Sequence, residues 1–168
     1  GGRPRDERGP MAEQQDHTDA LRTLIEGQRF VMLTTSTVDG SKLVSRPMTI
    51  QELDGWDARF ITQASNDAAE QSDGRAVNLS FMDGNTYVSL AGTGSVERDP
   101  AKKRELWSKL NEAFAGEVDD PNNVVLTVTI ASGEYWDGGN SVAQAIRVAK
   151  AAVTGERPDG GAHGTVEV

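Results

Sequence analysis

Short runs of β-branched and apolar residues, separated by Asp-Gly pairs, most constrain the fold of this 168-residue chain. Asp-Gly is a preferred pair for a tight hairpin turn, because glycine readily adopts the positive φ that such a turn needs. The pairs at 39–40, 54–55 and 83–84 therefore predict antiparallel hairpins. The runs between the turns predict six strands, at residues 30–38, 42–53, 58–62, 77–81, 86–97 and 124–130, the last prolonged or bent toward 134–137.

Helical periodicity is confined to a few segments around these strands. A short amphipathic helix is predicted from Asp19 to Gly27, and residues 66–71 are compatible with another. Asp99 and Pro100 predict the start of the clearest helix, which ends at Gly116. Ser141 can cap a last helix that runs to about residue 153. Six antiparallel strands with peripheral helices predict a mainly β fold of the α+β class, a small closed or split barrel.

Two features inside the strands predict local irregularity. Pro47 cannot donate a hydrogen bond to a neighbouring strand, so the strand that contains it is expected at a sheet edge or beside a bulge. Gly92 and Gly94 interrupt the longest strand, which indicates a sharp bend or a close backbone approach.

Composition excludes several classes of function. The chain has no cysteine, so thiol catalysis and cysteine-ligated metals are excluded, and a reducing cytoplasm suits it. Its net charge of −9 disfavours a nucleic-acid partner. No apolar run approaches the roughly 20 residues of a membrane span. One domain is expected at residues 17–155, between a disordered N-terminal tail at 1–16 and a glycine-rich C-terminal tail at 156–168.

Arg46 is the residue that most suggests a ligand. Strand alternation places it on the same face as Val44, Met48 and Ile50, where a guanidinium is costly unless it has a partner. The position therefore calls either for a buried salt bridge or for an anionic ligand. The alternation rule alone does not decide between them.

The chain has few residues suited to catalysis by side chains alone. The two histidines, His17 and His163, lie far apart in the sequence, and both are expected to be solvated. No nucleophile elbow, phosphate-binding loop or pair of metal ligands at helical spacing is present. A catalytic role would therefore depend on a bound cofactor, for which the protein supplies shape, hydrogen bonds and one cation.

Several motifs, in order and with suitable spacing over residues 21–155, resemble the pyridoxamine 5′-phosphate oxidase-like family, and more narrowly its general stress protein branch. They are Gly-Ser-Lys-Leu-Val-Ser-Arg-Pro-Met at 40–48, Val-Asn-Leu-Ser-Phe at 77–81, Tyr-Val-Ser-Leu-Ala-Gly at 87–92, Glu-Leu-Trp at 105–107 and Glu-Tyr-Trp-Asp at 134–137. The resemblance implies a six-stranded split barrel that forms a homodimer and binds FMN in grooves between the subunits. A small-molecule substrate or reductant is implied as well.

The resemblance also implies roles for individual residues. Arg46 would lie near the flavin phosphate, and Asn66 at the helix that helps to hold it. The other positions that would border the cofactor are Pro47, Met48, Thr49, Phe60, Ile61, Thr62 and Trp136. Lys42 and Arg75 are further candidates to meet the phosphate.

The phosphate corner departs from the family pattern. Family members usually place a serine and then a lysine or arginine at the start of the following helix, whereas this chain has Asn66 and Asp67. Three hypotheses follow. The chain binds FMN as an oxidoreductase, or it binds a deazaflavin with a different tail, or it is a cofactor-free dimeric binding or stress-response protein.

Overall fold

The computed structural model describes residues 9–108, 118–137 and 162–168. Their elements, in chain order, are α1 (Gly9–Glu26), β1 (Phe30–Ser36), β2 (Leu43–Thr49), β3 (Glu52–Asp54), β4 (Asp57–Gln63), α2 (Asp67–Ser72), β5 (Ala76–Asp83), β6 (Thr86–Glu97), α3 (Pro100–Ser108), β7 (Asn123–Asp137) and β8 (Ala162–Glu167). Among these elements no helix is long and apolar enough to cross a membrane.

The strands form one curled antiparallel sheet with the order β2-β1-β5-β6-β7-β4-β3. The first half of β7 pairs with β4 and its second half with β8, while β6 pairs along its other edge. The curl also brings β2 next to β4, although the strand that pairs with β2 in the described part is β1. The predicted mainly β split-barrel class is confirmed.

The described strands number eight rather than the six predicted, for two reasons. The predicted second strand divides into β2 and β3, because Ile50 N donates to Arg29 O whereas Gln51 N donates to Arg59 O, so the chain changes partner within one residue. The additional strand β8 comes from residues that were predicted to form a C-terminal tail. Its Val166 is fully buried.

Both predicted strand irregularities are confirmed. Pro47 lies on β2, which is an edge strand of the sheet. The register between β6 and β7 shifts at Ala91 and Gly92, which marks a β-bulge. A Cβ at position 94 would lie 2.8 Å from the Ser72 Cβ and would also meet the Ser72 backbone, so Gly94 marks a close approach of α2 to β6.

The helices differ from prediction mainly at the N-terminus. Helix α1 begins at Gly9, so residues 9–16 are helical rather than disordered. Helices α2 and α3 begin within one residue of the predicted positions. The predicted continuation of α3 to Gly116 and the predicted last helix after Ser141 lie outside the described residues.

The core fills the inner face of the sheet and is closed by α1. Inward residues of the strands alternate with outward ones, as in Val31 and Leu33 of β1. The large side chains buried to below 2% exposure are Leu21, Ile25, Leu33, Phe60, Leu79, Leu90 and Leu126. Predicted to be solvated, His17 is instead half-buried and its Nδ1 lies 2.7 Å from the Tyr135 hydroxyl.

Candidate functional site

Arg46 lies on the inner face of the edge strand β2, opposite the buried Leu33 of β1. Its Nη1 donates to Thr35 Oγ1 at 2.7 Å and, more weakly, to Leu33 O at 3.4 Å. Its Nη2 donates to Gln71 Oε1 at 3.1 Å. The predicted inward position is therefore correct, but within the described residues Arg46 has neutral hydrogen-bond acceptors rather than a salt bridge.

Thr35 and Gln71 are functional candidates that the sequence reasoning missed. Thr35 is 1% exposed and donates its hydroxyl hydrogen to Gln71 Oε1 at 2.7 Å. Gln71 itself is 8% exposed, on the buried side of α2. The signal in the sequence was a polar residue at the inward position of β1, two residues after Leu33, where an apolar residue is expected. The two side chains fix the guanidinium in one orientation.

Asp67, at the start of α2, completes the surroundings of Arg46. It precedes Gln71 by one helical turn, so the two side chains share a face of the helix. Burial lowers the pKa of the Arg46 guanidinium, and the charge of Asp67 acts in the opposite direction. Arg46, Thr35, Gln71 and Asp67 together form the Arg46 corner.

Asn66, which was predicted to help to hold the phosphate, caps α2. Its Oδ1 accepts from Ala68 N at 3.0 Å, and its carbonyl oxygen accepts from Ala69 N at 3.1 Å. Both amides are thus occupied by the cap. Arg75, another phosphate candidate, donates to Thr37 O at 3.0 Å, and Lys42 is exposed on the β1–β2 hairpin.

The other predicted site residues divide between the two faces of the sheet. On β2, Met48 faces inward and Pro47 faces outward with Thr49. On β4, Thr62 faces inward and is 8% exposed. The neighbouring Ile61 faces outward and is half-buried.

Phe60 of β4 is fully buried in the core, so its side chain offers no surface to a ligand. Its predicted part in the site is therefore limited to its backbone.

Trp136 does not converge with Arg46 within one chain. It lies on the outer face of β7, opposite Tyr87 of β6 and His163 of β8. The His163 ring stacks on the indole with 5.2 Å between ring centroids and an interplanar angle of 14°. Arg46 faces inward at the β2 edge, so within one chain the two side chains lie on opposite faces of the sheet.

The outer face of the sheet exposes large apolar side chains. Cross-strand pairs align Met82 with Tyr87 and Tyr87 with Trp136. The exposed fractions are 59% for Phe30, 39% for Met32, 60% for Met82, 52% for Tyr87 and 42% for Trp136. These five residues form the outer apolar face. A cluster of this kind on a single protein chain usually marks an interaction surface.

A second charged cluster lies on the β3–β4 hairpin. Arg59 contacts Glu52 at 3.0 Å, Asp54 at 3.4 Å and Asp57 at 3.7 Å. Burial lowers the pKa of Arg59, but the hydrogen bonds with Asp54 and Glu52 outweigh that effect and raise it. The adjacent cavity has a volume of about 200 Å³. Because the carboxylates already neutralise the guanidinium, we interpret this cluster as structural.

Comparisons with known proteins were made for the sequence and for the fold. The family model described as pyridoxamine 5′-phosphate oxidase like matches residues 16–159. The chain belongs to this family. No curated protein sequence matches it significantly.

Solved structures of general stress proteins resemble this member of the family. One, a general stress protein 26 from Jannaschia sp. CCS1, is 29% identical with a TM-score of 0.69, over 92% of this chain and 99% of that one. A general stress family protein from Xanthomonas campestris pv. campestris is 28% identical with a TM-score of 0.58, over 79% and 91%. A heme binding protein from Mycobacterium smegmatis is 14% identical with a TM-score of 0.56, over 71% and 53%, which shows the fold alone.

The residues present fit the ring of the implied FMN but not its phosphate. Among the described strands only β1 pairs with β2, so the other edge of β2 directs the N–H and C=O groups of every second residue away from β1, which suits the polar rim of a flavin ring. The phosphate is less well matched. A phosphate monoester carries about −1.5 to −2 charges near neutral pH, and Asp67 would repel it.

Proposed function

We propose that this member of the pyridoxamine 5′-phosphate oxidase-like family binds a flavin in a groove completed by a second copy of the chain, and acts as a flavin-dependent oxidoreductase on a small molecule. FMN is the form of flavin that the family resemblance implies. A bound flavin can exchange hydride or single electrons with small molecules, so the protein need supply no nucleophile.

The observation that carries this proposal is the Arg46 guanidinium on β2, an edge strand of the described sheet. A guanidinium has five N–H donors, and the three hydrogen bonds to Leu33, Thr35 and Gln71 leave two of them without a partner among the described residues. Thr35 and Gln71 hold the group in place without neutralising it. A fixed cation with unused donors, beside a strand edge with which no described strand pairs, is a ready binding site for a polar ligand.

The positions of Arg46 and Trp136 support a second copy of the chain as part of the site. They lie on opposite faces of the sheet, so Trp136 of one copy would border the groove of the other. The outer apolar face supplies a surface for this contact, because burying Phe30, Met82 and Tyr87 against a second copy would remove them from water. The proposed assembly is therefore a homodimer.

A second candidate function is favoured by Asp67. A carboxylate beside Arg46 can satisfy the cation without any ligand, in which case the chain would be a cofactor-free dimeric binding or stress-response protein. The two candidates differ in whether purified protein takes up a flavin.

Replacing Arg46 by alanine is expected to weaken flavin binding by about tenfold to a hundredfold, because a hydrogen bond to a charged group contributes about 1.5–3 kcal/mol. Titration of the protein with FMN and with riboflavin, followed by quenching of flavin fluorescence, measures this. Arg104→Ala is a matched control, since it removes an exposed guanidinium from α3. Equal binding by wild type and Arg46→Ala would contradict the role of Arg46, and no binding by wild type would favour the cofactor-free candidate.

A further inference from the structure

The Arg46 corner has the wrong charge balance for a phosphate group. Its one cation, Arg46, is opposed by the carboxylate of Asp67, which lies one turn before Gln71 on α2. Gln71 accepts a hydrogen bond from Arg46 at 3.1 Å, and the exposed Asp67, four residues before Gln71, lies on the same side of the helix. A phosphate at this position would meet one positive and one negative charge.

The remaining polar groups of the corner do not make up the deficit. Two backbone amides at the start of α2, those of Ala68 and Ala69, are occupied by Asn66. Arg75 is not part of the corner, and one of its N–H groups donates to the carbonyl of Thr37. The described part of the corner offers a ligand the two unused N–H donors of Arg46, the side-chain NH2 of Gln71 and the carboxylate oxygens of Asp67, and of these groups only Arg46 carries a positive charge.

A donor and an acceptor side by side are suited to hydroxyl groups. Each hydroxyl both donates and accepts, so a polyol can bind Arg46 and Asp67 at the same time. A phosphate dianion only accepts, and leaves Asp67 facing a like charge.

We infer that the Arg46 corner selects a flavin with an uncharged, hydroxylated tail, such as the ribityl chain of riboflavin, over one that ends in a phosphate. This inference rests on the proposed function, since it concerns the tail of the same ligand. Asp67 is the residue that determines the preference. It opposes the phosphate and accepts a hydroxyl hydrogen.

The test compares riboflavin and FMN as ligands of the full-length protein, by fluorescence titration at low ionic strength. Wild type is expected to bind riboflavin at least as tightly as FMN. Asp67→Asn keeps the size of the side chain and removes its charge. Because the repulsion between Asp67 and the phosphate is then lost, the affinity ratio is expected to shift toward FMN by about tenfold, which corresponds to about 1.4 kcal/mol. Added salt should reduce the shift.

Glu70→Gln is the matched control, since it removes the charge of another exposed carboxylate of the same helix, and it is Asp67 whose charge raises the pKa of Arg46. It should leave the ratio unchanged, and thermal unfolding checks that both variants are folded. If wild type binds FMN more tightly and Asp67→Asn leaves the ratio unaltered, the inference is wrong while the proposed function stands. Binding of neither flavin would overturn the proposed function, and the inference with it.

Discussion

Replacement of Phe60 by alanine is expected to lower the free energy of unfolding by about 3–5 kcal/mol, the usual cost of deleting a buried aromatic side chain. Phe60 is fully buried and packs among the other core residues. The loss would come from the missing free energy of burying the ring and from the cavity left behind. Chemical denaturation of the ligand-free protein measures it.

A more conservative substitution distinguishes a partial loss of core packing from a failure to fold. Phe60→Leu keeps much of the volume and is expected to cost about 1–2 kcal/mol, between wild type and Phe60→Ala. If Phe60→Ala retained wild-type stability but lost flavin binding, the ring would belong to the binding site, and its placement in the core would be wrong.

Gly94→Ala is expected to destabilise the protein by about 1–3 kcal/mol, because the added methyl group would overlap the backbone of Ser72. Gly94 also exchanges backbone hydrogen bonds with the segment after α2, from Gly74 N to Gly94 O and from Gly94 N to Arg75 O. Relief of the overlap would move α2, which carries Gln71 and Asp67. Denaturation curves and flavin titration should therefore both be affected.

Gly27→Ala is the control for Gly94→Ala. A Cβ at position 27 would lie 3.8 Å from its nearest neighbour, Leu24 O, which is an ordinary contact. The stability of this variant is expected to stay within about 1 kcal/mol of wild type. Equal effects of the two substitutions would contradict the close approach of α2 to β6.

The sequence allowed the sheet to be predicted because its signals are local. Asp-Gly turns, alternation within strands and the position of Pro47 each depend on a few neighbouring residues. The family resemblance was confirmed by the match over residues 16–159. Strand β8 was not predicted, since Ala162–Glu167 is short and contains a glycine, and its order comes from pairing with β7 and burial of Val166.

The Arg46 corner could be predicted only in part, for a related reason. Alternation gave the inward face of Arg46 correctly. Of its two expected partners, a buried salt bridge or an anionic ligand, the described residues supply no salt bridge, and the half-buried guanidinium donates to neutral acceptors. Gln71 reaches it from a helix 25 residues later in the chain. Such a contact depends on how α2 packs against β1, which no local pattern encodes.

The central claim is that a flavin binds at a site completed by two copies of the chain. The most direct measurement is analytical ultracentrifugation of the protein loaded with the flavin that it binds more tightly, recorded at the visible absorbance of the flavin. The account predicts that this absorbance sediments with a species of twice the 18.0 kDa chain mass. Flavin that sediments with the single chain, or that remains unbound, would contradict it.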